Sequence, residues 1–433
     1  MSIIDIKSLS LWVGNKSVFE DLSLEIEEGE AILITGLSGS GKTSLFRVLT
    51  GSIPRIFSGA VKISSTPDIE ALRRRIFYMP QEPWFGLFTP YVWSEIRSNP
   101  GAERIDVDEL ISYLGLEALL NRSTYTLSAG ETQRLLFLNA LLSARDLILL
   151  DEPTSYLDTG NATRMLDLVD RLRREFNLTF VIADHRIDLW RDHVDKIYVL
   201  ENKRLRDLRE SDYLERFNEY NKRLRDLRED LEKIYRDADC INFYVESYRY
   251  PGSRRDTLRN ISGEICLRGV IAVKGVSGSG KSTLLRILLE RIIDNRYSEV
   301  IRLEIDNSRL EYLKRNTILL PDNPFLFFTE PIVREELRGS IDSLERLGLS
   351  IDRADVSIKR LSSGERRRVA LLSALGRGKK IIFIDEPTVG LDPYHKYLYL
   401  KHLTEYLKQD YGFFISSHDP SVEVISSSVI EIH

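Results

Sequence analysis

Short apolar runs mark the strands that the chain is expected to form. Residues 31–35 and 270–273 are rich in β-branched residues, which favour strands, and each run leads into a glycine-rich segment. A helical pattern follows each segment, at residues 44–49 and 284–289. Strand, glycine loop and helix in this order predict a loop that binds phosphate.

Three motifs occur twice along the chain, in the same order. Gly36-Leu-Ser-Gly-Ser-Gly-Lys-Thr43 recurs as Gly275-Val-Ser-Gly-Ser-Gly-Lys-Ser282. Leu127-Ser-Ala-Gly-Glu131 recurs as Leu361-Ser-Ser-Gly-Glu365, and Asp151-Glu-Pro-Thr154 recurs as Asp385-Glu-Pro-Thr388. Ordered repetition at nearly constant spacing indicates an internal duplication. We therefore predict two lobes, residues 1–200 and 240–433, joined by a charged segment, residues 201–239.

The joining segment contains a duplication of its own. The nine residues 202–210, Asn-Lys-Arg-Leu-Arg-Asp-Leu-Arg-Glu, return unchanged at residues 221–229. The leucines of each copy lie three residues apart, as on one helix face, and no proline interrupts the segment. We predict one long or two short helices here, either as a solvated linker or as an arm that contacts a partner.

The glycine-rich loops carry the first candidate chemistry. Glycine lets the backbone curl so that several N–H groups face one anion, and the helix that follows adds its positive N-terminal end. Lys42 and Lys281 are expected to reach the β- and γ-phosphates of ATP, and Thr43 and Ser282 to offer a hydroxyl to Mg²⁺. The candidate phosphate-binding residues are Gly36, Ser38, Gly39, Ser40, Gly41, Lys42, Thr43 and Ser44 in the first lobe, and Gly275, Ser277, Gly278, Ser279, Gly280, Lys281, Ser282 and Thr283 in the second.

Two further apolar runs end in a pair of acids. Asp151 and Asp385 complete predicted buried strands and are expected to hold Mg²⁺ through water, because Mg²⁺ keeps much of its hydration. Glu152 and Glu386 follow directly and point elsewhere, so they are candidates to orient or deprotonate an attacking water. The alternative is an acid pair that caps a loop.

At this point the residues resemble a known family. Leu127-Ser-Ala-Gly-Glu131 and Leu361-Ser-Ser-Gly-Glu365 are similar to the signature motif of the ABC ATPases. Ser155-Tyr-Leu-Asp158 and Val389-Gly-Leu-Asp392 resemble the D-loops of that family, and His185 and His418 resemble its switch histidines. The resemblance covers both lobes nearly end to end.

The resemblance implies a fold and a mechanism. The expected fold is α/β, with two tandem P-loop NTPase domains, each with a mixed sheet, a small antiparallel β subdomain and a helical subdomain. In this family two domains clamp head to tail around two ATP molecules, so that each phosphate loop faces the signature motif of the other lobe. The resemblance therefore assigns the signature contacts to Ser128, Gly130, Glu131, Ser362, Gly364 and Glu365, the D-loop acids to Asp158 and Asp392, and the catalytic roles to Glu152, Glu386, His185 and His418.

Further site residues follow from the same resemblance. Trp12 and Tyr250 precede the two phosphate loops at matched distances, where the family stacks adenine, although a lone aromatic is usually core packing. Gln81 resembles the family's Q-loop glutamine, which contacts Mg²⁺ and water. The second lobe has Asp322 at this position, which is also expected to face Mg²⁺ but has a shorter reach and adds a negative charge near the γ-phosphate. We therefore expect the Lys281 site to be slower than the Lys42 site, or differently regulated.

Features near the Q-loop bear on the kind of ABC protein. Trp84-Phe85-Gly-Leu-Phe88 and Phe325-Leu-Phe-Phe328 lie where membrane subunits of ABC transporters dock, although interior packing is the alternative. Ala183-Asp-His-Arg-Ile-Asp-Leu189 resembles the histidine loop of energy-coupling factor importers for cobalt and vitamins. Trp84 and Phe85 depart from the acidic and glutamine residues of that group. The resemblance favours the fused ATPase subunit of such a transporter, with an integral membrane partner.

A soluble ABC-F-like translation factor is the alternative. Those proteins are also tandem and carry a charged helical linker. The linker here is short for them, and their usual D-loop text Asn-His-Leu-Asp is absent from both lobes. The reaction expected in either case is Mg-ATP plus water giving ADP and phosphate, with intramolecular closure of the lobes and no need for a homodimer.

Composition narrows the setting. The chain has 61 Lys+Arg against 66 Asp+Glu, so no overall charge draws it to nucleic acid, and we expect no direct contact with nucleic acid. No apolar run is long enough to span a membrane, and the N-terminus lacks the pattern of a signal peptide. We expect a cytoplasmic protein, peripheral at the inner face of the cell membrane. Cys240 and Cys266 are too few for a disulfide framework or a four-ligand zinc site, which predicts two small buried hydrophobes.

Overall fold

The protein folds as two compact units, Met1–Arg216 and Phe217–His433. The computed structural model describes residues 2–13, 16–52, 57–63, 74–103, 106–235, 239–250 and 255–432. Each unit contains a small antiparallel sheet, a larger sheet that carries a phosphate loop, and a group of helices. The predicted tandem α/β fold is confirmed.

The first unit is built on a mixed sheet. Its strand order is β5-β6-β7-β3-β8-β9, in which β9 alone runs antiparallel, and a separate antiparallel sheet has the order β2-β1-β4. The strands are β1 (Ser2–Val13), β2 (Lys16–Glu27), β3 (Ala31–Thr35), β4 (Phe57–Ile63), β5 (Ile76–Met79), β6 (Leu147–Asp151), β7 (Thr179–Ala183), β8 (Lys196–Glu201) and β9 (Arg204–Asp207). The helices are α1 (Lys42–Leu49), α2 (Val92–Arg97), α3 (Val107–Tyr113), α4 (Ala129–Leu142), α5 (Thr159–Phe176), α6 (Ile187–Trp190) and α7 (Tyr213–Tyr235), the last of which continues into the second unit.

The second unit repeats this plan with one difference. Its described main sheet, β14-β15-β16-β12-β17, is parallel throughout, and its antiparallel sheet has the order β11-β10-β13. The strands are β10 (Cys240–Tyr248), β11 (Leu258–Cys266), β12 (Gly269–Gly275), β13 (Ile301–Leu303), β14 (Thr317–Leu320), β15 (Ile381–Asp385), β16 (Gly412–Ser416) and β17 (Ser428–Ile432). The helices are α8 (Lys281–Asp294), α9 (Asn307–Asn316), α10 (Val333–Glu336), α11 (Ser343–Arg346), α12 (Ser363–Gly376), α13 (Pro393–Leu407) and α14 (Pro420–Val424).

Burial explains why the central strands are apolar runs. Every residue of β3, β6 and β7 is buried, as expected for a parallel sheet with both faces covered. On one face the sheet packs with α1 and the antiparallel sheet, for example through Ile4, Leu45 and Leu149. Because β7 lies between β3 and β6, their carboxyl ends bring the phosphate loop, the acid pair and the switch histidine to one edge. The strands β12, β15 and β16 do the same in the second unit.

The two identical nine-residue copies take different structures. In the first copy, residues 204–207 form β9 and residues 208–210 a 3₁₀ turn, whereas the whole second copy lies within α7. The helix prediction is therefore wrong for the first copy, because pairing with β8 decides its conformation. Residues 236–238, at the end of the predicted linker, lie outside the described residues.

Helix α7 is more than a solvated linker. Leu224 and Leu231 are buried in the hydrophobic core of the second unit, and Leu227 packs against it. Tyr235 donates a hydrogen bond from its hydroxyl to the carbonyl of Ile425. The second copy of the repeat is thus part of the second unit. Among the described helices, none combines the length and apolar character needed to cross a membrane.

The two cysteines form a disulfide. Cys240 and Cys266 lie directly opposite each other on β10 and β11 and are bonded. The expectation of two small buried hydrophobes is therefore wrong, and Cys240 is only half-buried. The cysteine count gave no sign of the pairing, because pairing depends on the register of two strands.

Candidate active sites

The last glycine of each phosphate loop holds a backbone conformation that a side chain would disturb. Gly41 has φ of 110°, and a Cβ atom there would lie 2.8 Å from Val18 Cγ1. Its counterpart Gly280 has φ of 100°, with Leu258 Cδ2 at 2.8 Å from such an atom. Each glycine precedes a helix, so the first N–H groups of α1 and α8 lie at the loop, where helix ends attract anions.

The lysine of each loop is buried and held by loop carbonyls. Lys42 Nζ donates to the carbonyls of Gly36 at 2.8 Å and Leu37 at 3.2 Å. Lys281 Nζ makes the same two bonds to the equivalent carbonyls, at the same distances. Both ammonium groups are therefore fixed within their loops, where the predicted phosphates would bind.

Buried hydroxyls in the loops fit an anionic ligand. The hydroxyls of Ser40 and Ser279 are buried and have no hydrogen-bond partner within the described part of the chain. A buried donor without a partner is costly, and a phosphate oxygen would supply the acceptor. With the lysines and helix ends, these hydroxyls make both loops suited to a nucleotide phosphate.

Asp151, at the end of β6, has the surroundings of a metal ligand. Its carboxylate is buried and accepts hydrogen bonds from the hydroxyls of Tyr78, at 3.1 Å, and Thr43. Burial, and then the negative charge of Glu152, raise the pKa of Asp151 to about 6. A carboxylate beside a hydroxyl suits Mg²⁺, which prefers hard oxygen ligands.

Asp385 is the counterpart of Asp151 in the second unit, with one more acid nearby. It accepts hydrogen bonds from Ser416 and Ser282, so a serine of β16 takes the part of Tyr78. Burial and the charge of Asp322 raise the pKa of Asp385 to about 7. Gln81 and Asp322 each follow the strand beside their acid pair, and Asp322 also accepts the N–H of Asn323 at 2.7 Å; their Q-loop role stays a prediction.

The structure brings each candidate base to its switch histidine. Glu152 Oε1 lies 3.2 Å from His185 Nε2, and Glu386 Oε2 lies 3.0 Å from His418 Nδ1. Both glutamates have φ of 49°, a costly conformation for residues other than glycine that is often found at functional sites. The acid and the histidine meet because their strands are neighbours in the sheet.

Both glutamates are held in the ionised form. Burial alone raises the pKa of Glu152, but the nearby ring of His185 and the charge of Lys42 outweigh it and leave the pKa below its usual value. At Glu386, burial again raises the pKa. The charges of His418 and Lys281 outweigh this effect, so the pKa of Glu386 is also lowered. An ionised carboxylate accepts hydrogen bonds only, so each can accept one from water.

The signature motifs begin helices. Ser128 caps α4 and Ser362 caps α12, each in a capping box with the glutamate three residues on, Glu131 or Glu365. The glycines Gly130 and Gly364 lie in the first turn of these helices. That each signature motif faces the phosphate loop of the other lobe stays a prediction.

The D-loop acids also cap helices. Asp158 accepts the N–H of Asn161 at 2.9 Å at the start of α5, and Asp392 accepts that of His395 at 3.1 Å at the start of α13. Asp392 also lies 2.6 Å from His395 Nδ1. Helix capping accounts for both acids locally, and their predicted D-loop role stays a prediction.

The two candidate adenine-stacking residues are partly exposed. Trp12 is near the end of β1 and Tyr250 follows β10. The Tyr250 hydroxyl lies 3.0 Å from Thr283 Oγ1, which places this ring beside the second phosphate loop. Adenine stacking stays a prediction at both positions.

Two residues that contact the bases were missed. Gln133 Nε2 donates to the carbonyl of Glu152 at 3.0 Å, and Arg367 Nη1 donates to that of Glu386 at 2.9 Å. Both follow their signature motifs at the same spacing, and both have long side chains that donate hydrogen bonds. This shared feature could have identified them from the sequence. They tie each signature helix to the strand end that carries the acid pair of its own unit.

The aromatic segment after the Q-loop is exposed in the first unit. Phe85 is 61% exposed and Phe88 is 89% exposed. Tyr91 and Trp93 follow a few residues later, are also exposed, and stack on each other with their ring centroids 6.5 Å apart. We call these four residues the aromatic face.

The equivalent segment of the second unit is mostly covered. Arg366 lies over the Phe325 ring at 4.4 Å and Arg377 over the Phe327 ring at 4.2 Å, which leaves Leu326 as the strongly exposed apolar side chain, at 77%. Interior packing thus explains much of the second segment and also Trp84 of the first, which is half-buried and packs edge-on against Tyr156. It does not explain the exposed Phe85 and Phe88.

Comparisons with known proteins agree with this geometry. A family model described as ABC transporter matches residues 19–155 and 258–389. A putative ABC transporter ATP-binding protein of Sulfurisphaera tokodaii is 32% identical, over 97% of this chain and 94% of the relative, and one of Saccharolobus solfataricus, SSO2030, is 29% identical over 97% and 90%. The solved complex of archaeal ribosomal stalk protein aP1 and archaeal ribosome recycling factor aABCE1 aligns with a TM-score of 0.64 and 20% identity, over 98% of this chain and 87% of that one, a likeness of fold alone.

Proposed function

Because the chain belongs to the ABC transporter family, we propose that it is the ATP-hydrolysing subunit of a membrane transporter, driven by closure of its two lobes on ATP. The observation that carries the transporter role is the aromatic face beside the first Q-loop, with Phe88 89% exposed. The resemblance of the histidine loop favours an importer of the energy-coupling factor type. In that role the protein would be peripheral at the inner face of the membrane.

The chain's own residues divide the work of hydrolysis. Lys42 and the N–H groups at the start of α1 hold the phosphates, and Thr43 with Asp151 would hold Mg²⁺. Bound Mg²⁺ would offset negative charge on the phosphates. Ionised Glu152 orients the attacking water and accepts its proton, and His185, 3.2 Å away, ties that carboxylate to the end of β7. The second unit carries the equivalent set, so we propose two hydrolysing sites.

The aromatic face would receive a short helix of a membrane subunit. Aromatic side chains exposed as a group mark docking surfaces, whereas scattered ones are ordinary. The second unit places Arg334, paired with Asp355 at 2.8 Å, at the position equivalent to Trp93. We therefore propose that the two units receive different partner segments, one apolar and one polar.

Affinity capture tests the transporter role. The bait is the Glu152→Gln, Glu386→Gln double variant, expected to hold the closed ATP-bound state, incubated with source-cell extract in mild detergent. We expect a polytopic membrane protein to be recovered, and its recovery to fall about tenfold or more when Phe85 and Phe88 are both changed to aspartate, since central aromatic contacts dominate interfaces.

Controls separate docking from folding. Phe176→Asp changes an exposed aromatic on α5 and should leave recovery unchanged. ATP turnover of the isolated chain should be unaffected by the Phe85 and Phe88 changes. Recovery of ribosomes with no membrane protein would overturn the transporter role in favour of a translation factor.

The raised pKa values predict a difference in pH dependence between the sites. Protons compete with Mg²⁺ for Asp151 and Asp385, whose pKa values are raised to about 6 and about 7. As pH falls, the Mg²⁺ concentration needed for half-maximal turnover should therefore rise first at the second site. The Glu152→Gln variant leaves only the second site working, and the Glu386→Gln variant leaves only the first. Mg²⁺ titrations of each variant at about pH 6, 7 and 8 therefore measure the Mg²⁺ requirement of each site separately.

Asp322→Gln provides the matched control for that difference. It removes the charge that raises the Asp385 pKa and gives the second site the glutamine of the first. In this variant, we expect the rise in the Mg²⁺ requirement of the second site to begin at a lower pH, closer to that of the first site. Equal Mg²⁺ requirements at the two sites across this pH range would contradict the prediction.

A further inference from the structure

Asp184, the residue before the switch histidine, is a buried acid that accepts four hydrogen bonds. Its side chain is 1% exposed. Oδ1 accepts the backbone N–H groups of His185 at 2.7 Å and Arg186 at 3.0 Å. Oδ2 accepts the hydroxyl of Thr154 at 2.7 Å and the indole N–H of Trp190 at 3.1 Å.

These bonds require a carboxylate. An ionised carboxylate has about four lone-pair positions and no donor, so four donors saturate it. An amide at this position would place its NH₂ group against two donors, and those hydrogen bonds would be lost, because an NH₂ group cannot accept them. Hydrogen bonds to a charged acceptor in a buried site are also the strong ones.

The four donors come from the two segments that follow β6 and β7. Thr154 lies two residues after Glu152 and begins the D-loop segment, while His185 carries the ring that faces Glu152. Trp190, fully buried at the end of α6, anchors the assembly to the core. Asp184 thus links the loop after β6 to the loop after β7.

The second unit is built differently at this point. Ser417 replaces Asp184, and the Thr388 hydroxyl, the counterpart of Thr154, is buried with no hydrogen-bond partner in the described chain. The Ser417 hydroxyl keeps one of the four bonds, to the N–H of Asp419 at 3.0 Å, and an ion pair of Lys396 Nζ with Asp419 Oδ2 at 2.6 Å also holds the loop. There the histidine presents Nδ1 to its glutamate, whereas His185 presents Nε2.

We propose that Asp184 is a positioning residue of the first site, which holds the His185 backbone and the D-loop in one rigid unit so that Nε2 faces Glu152. The second site lacks this device. The inference rests on the proposed roles of Glu152 and His185 in hydrolysis. It goes beyond them because Asp184 acts through His185 and contacts no reacting atom.

The test is a double-mutant cycle in the full chain, read as ATP turnover. The turnover of the first site is the part that Glu152→Gln abolishes. Asp184→Asn is expected to lower that part about tenfold, the cost of a broken charged hydrogen bond, with KM for ATP within about twofold. In a His185→Ala background, Asp184→Asn should cause no further loss, because its effect passes through the histidine.

Controls make every outcome decisive. Asp170→Asn alters another aspartate bound to a histidine, His193 at 2.7 Å, and should leave turnover unchanged. If Asp184→Asn lowers the melting temperature, Thr154→Val is the second variant, because it removes one donor at constant volume. It should reduce turnover in the chain that keeps His185 and have no effect in the His185→Ala variant.

Three results would be decisive: two contradict the positioning role of Asp184, and one contradicts the role of His185. Loss of turnover with His185→Ala, but none with Asp184→Asn or Thr154→Val, overturns the positioning role. An equal further loss in the His185→Ala background also overturns it. No loss with His185→Ala overturns the proposed role of His185 in hydrolysis, on which this inference rests, and leaves the transporter role to the capture experiment.

Discussion

Changing Glu152 to glutamine is expected to lower turnover at the first site by about 10²–10⁴-fold, the usual contribution of a general base. Glutamine keeps the size of the side chain and one acceptor oxygen, but it cannot take a proton from water. The lowered pKa of Glu152 shows that the ionised form is the one the site stabilises, mainly through His185 against the opposing effect of burial. ATP binding should persist, because Lys42 and the loop are unchanged.

The same change at Glu386 tests the second site. The ATP turnover that remains in each single variant is that of the unchanged site. The double variant should bind ATP without hydrolysing it. Steady-state phosphate release and equilibrium binding of ATP measure the two effects separately. Glu109→Gln, an exposed acid paired with Arg171 at 2.6 Å, is the control and should change neither.

The single variants also test the asymmetry of the sites. The extra acid Asp322 predicts that the chain with Glu152→Gln, which depends on the second site, is the slower of the two. Equal turnover in both would contradict that prediction. Full turnover in the double variant would contradict the catalytic role of both glutamates.

Sequence alone correctly predicted which candidate residues lie at strand ends. The phosphate loops, Asp151, Glu152 and His185 each follow an apolar run, and parallel strands put such ends at one edge. Asp184 was not singled out, because its four donors come from two separate segments, residues 185–190 beside it and Thr154 in the loop after β6. Spacing in the sequence gave no sign that these segments meet.

The repeated nine-residue segment shows the limit of local sequence most clearly. Its periodicity predicted helix for both copies, yet Leu205 lies in β9 and Leu224 in α7. Leu205 is half-buried against the core of the first unit, and Leu224 is buried in that of the second. Since the two copies have the same sequence, only their tertiary surroundings distinguish them.

That difference predicts unequal costs for the same substitution. Leu224→Ala should destabilise the second unit by about 2–5 kcal/mol, the range for a buried leucine, because it leaves a cavity in a packed core. Leu205→Ala, at the matching position, should cost the first unit about 1 kcal/mol, since a half-exposed side chain loses less buried area.

Tryptophan placement lets one experiment separate the units. Trp12, Trp84, Trp93 and Trp190 all lie in the first unit, so their fluorescence follows its unfolding in denaturant, while far-ultraviolet circular dichroism follows both units. Leu224→Ala should shift the dichroism transition and leave the fluorescence midpoint in place, and Leu205→Ala should shift the fluorescence midpoint slightly. A cost for Leu224→Ala no larger than that for Leu205→Ala would contradict the docking of α7 on the second unit, and the second copy would then be a solvated linker after all.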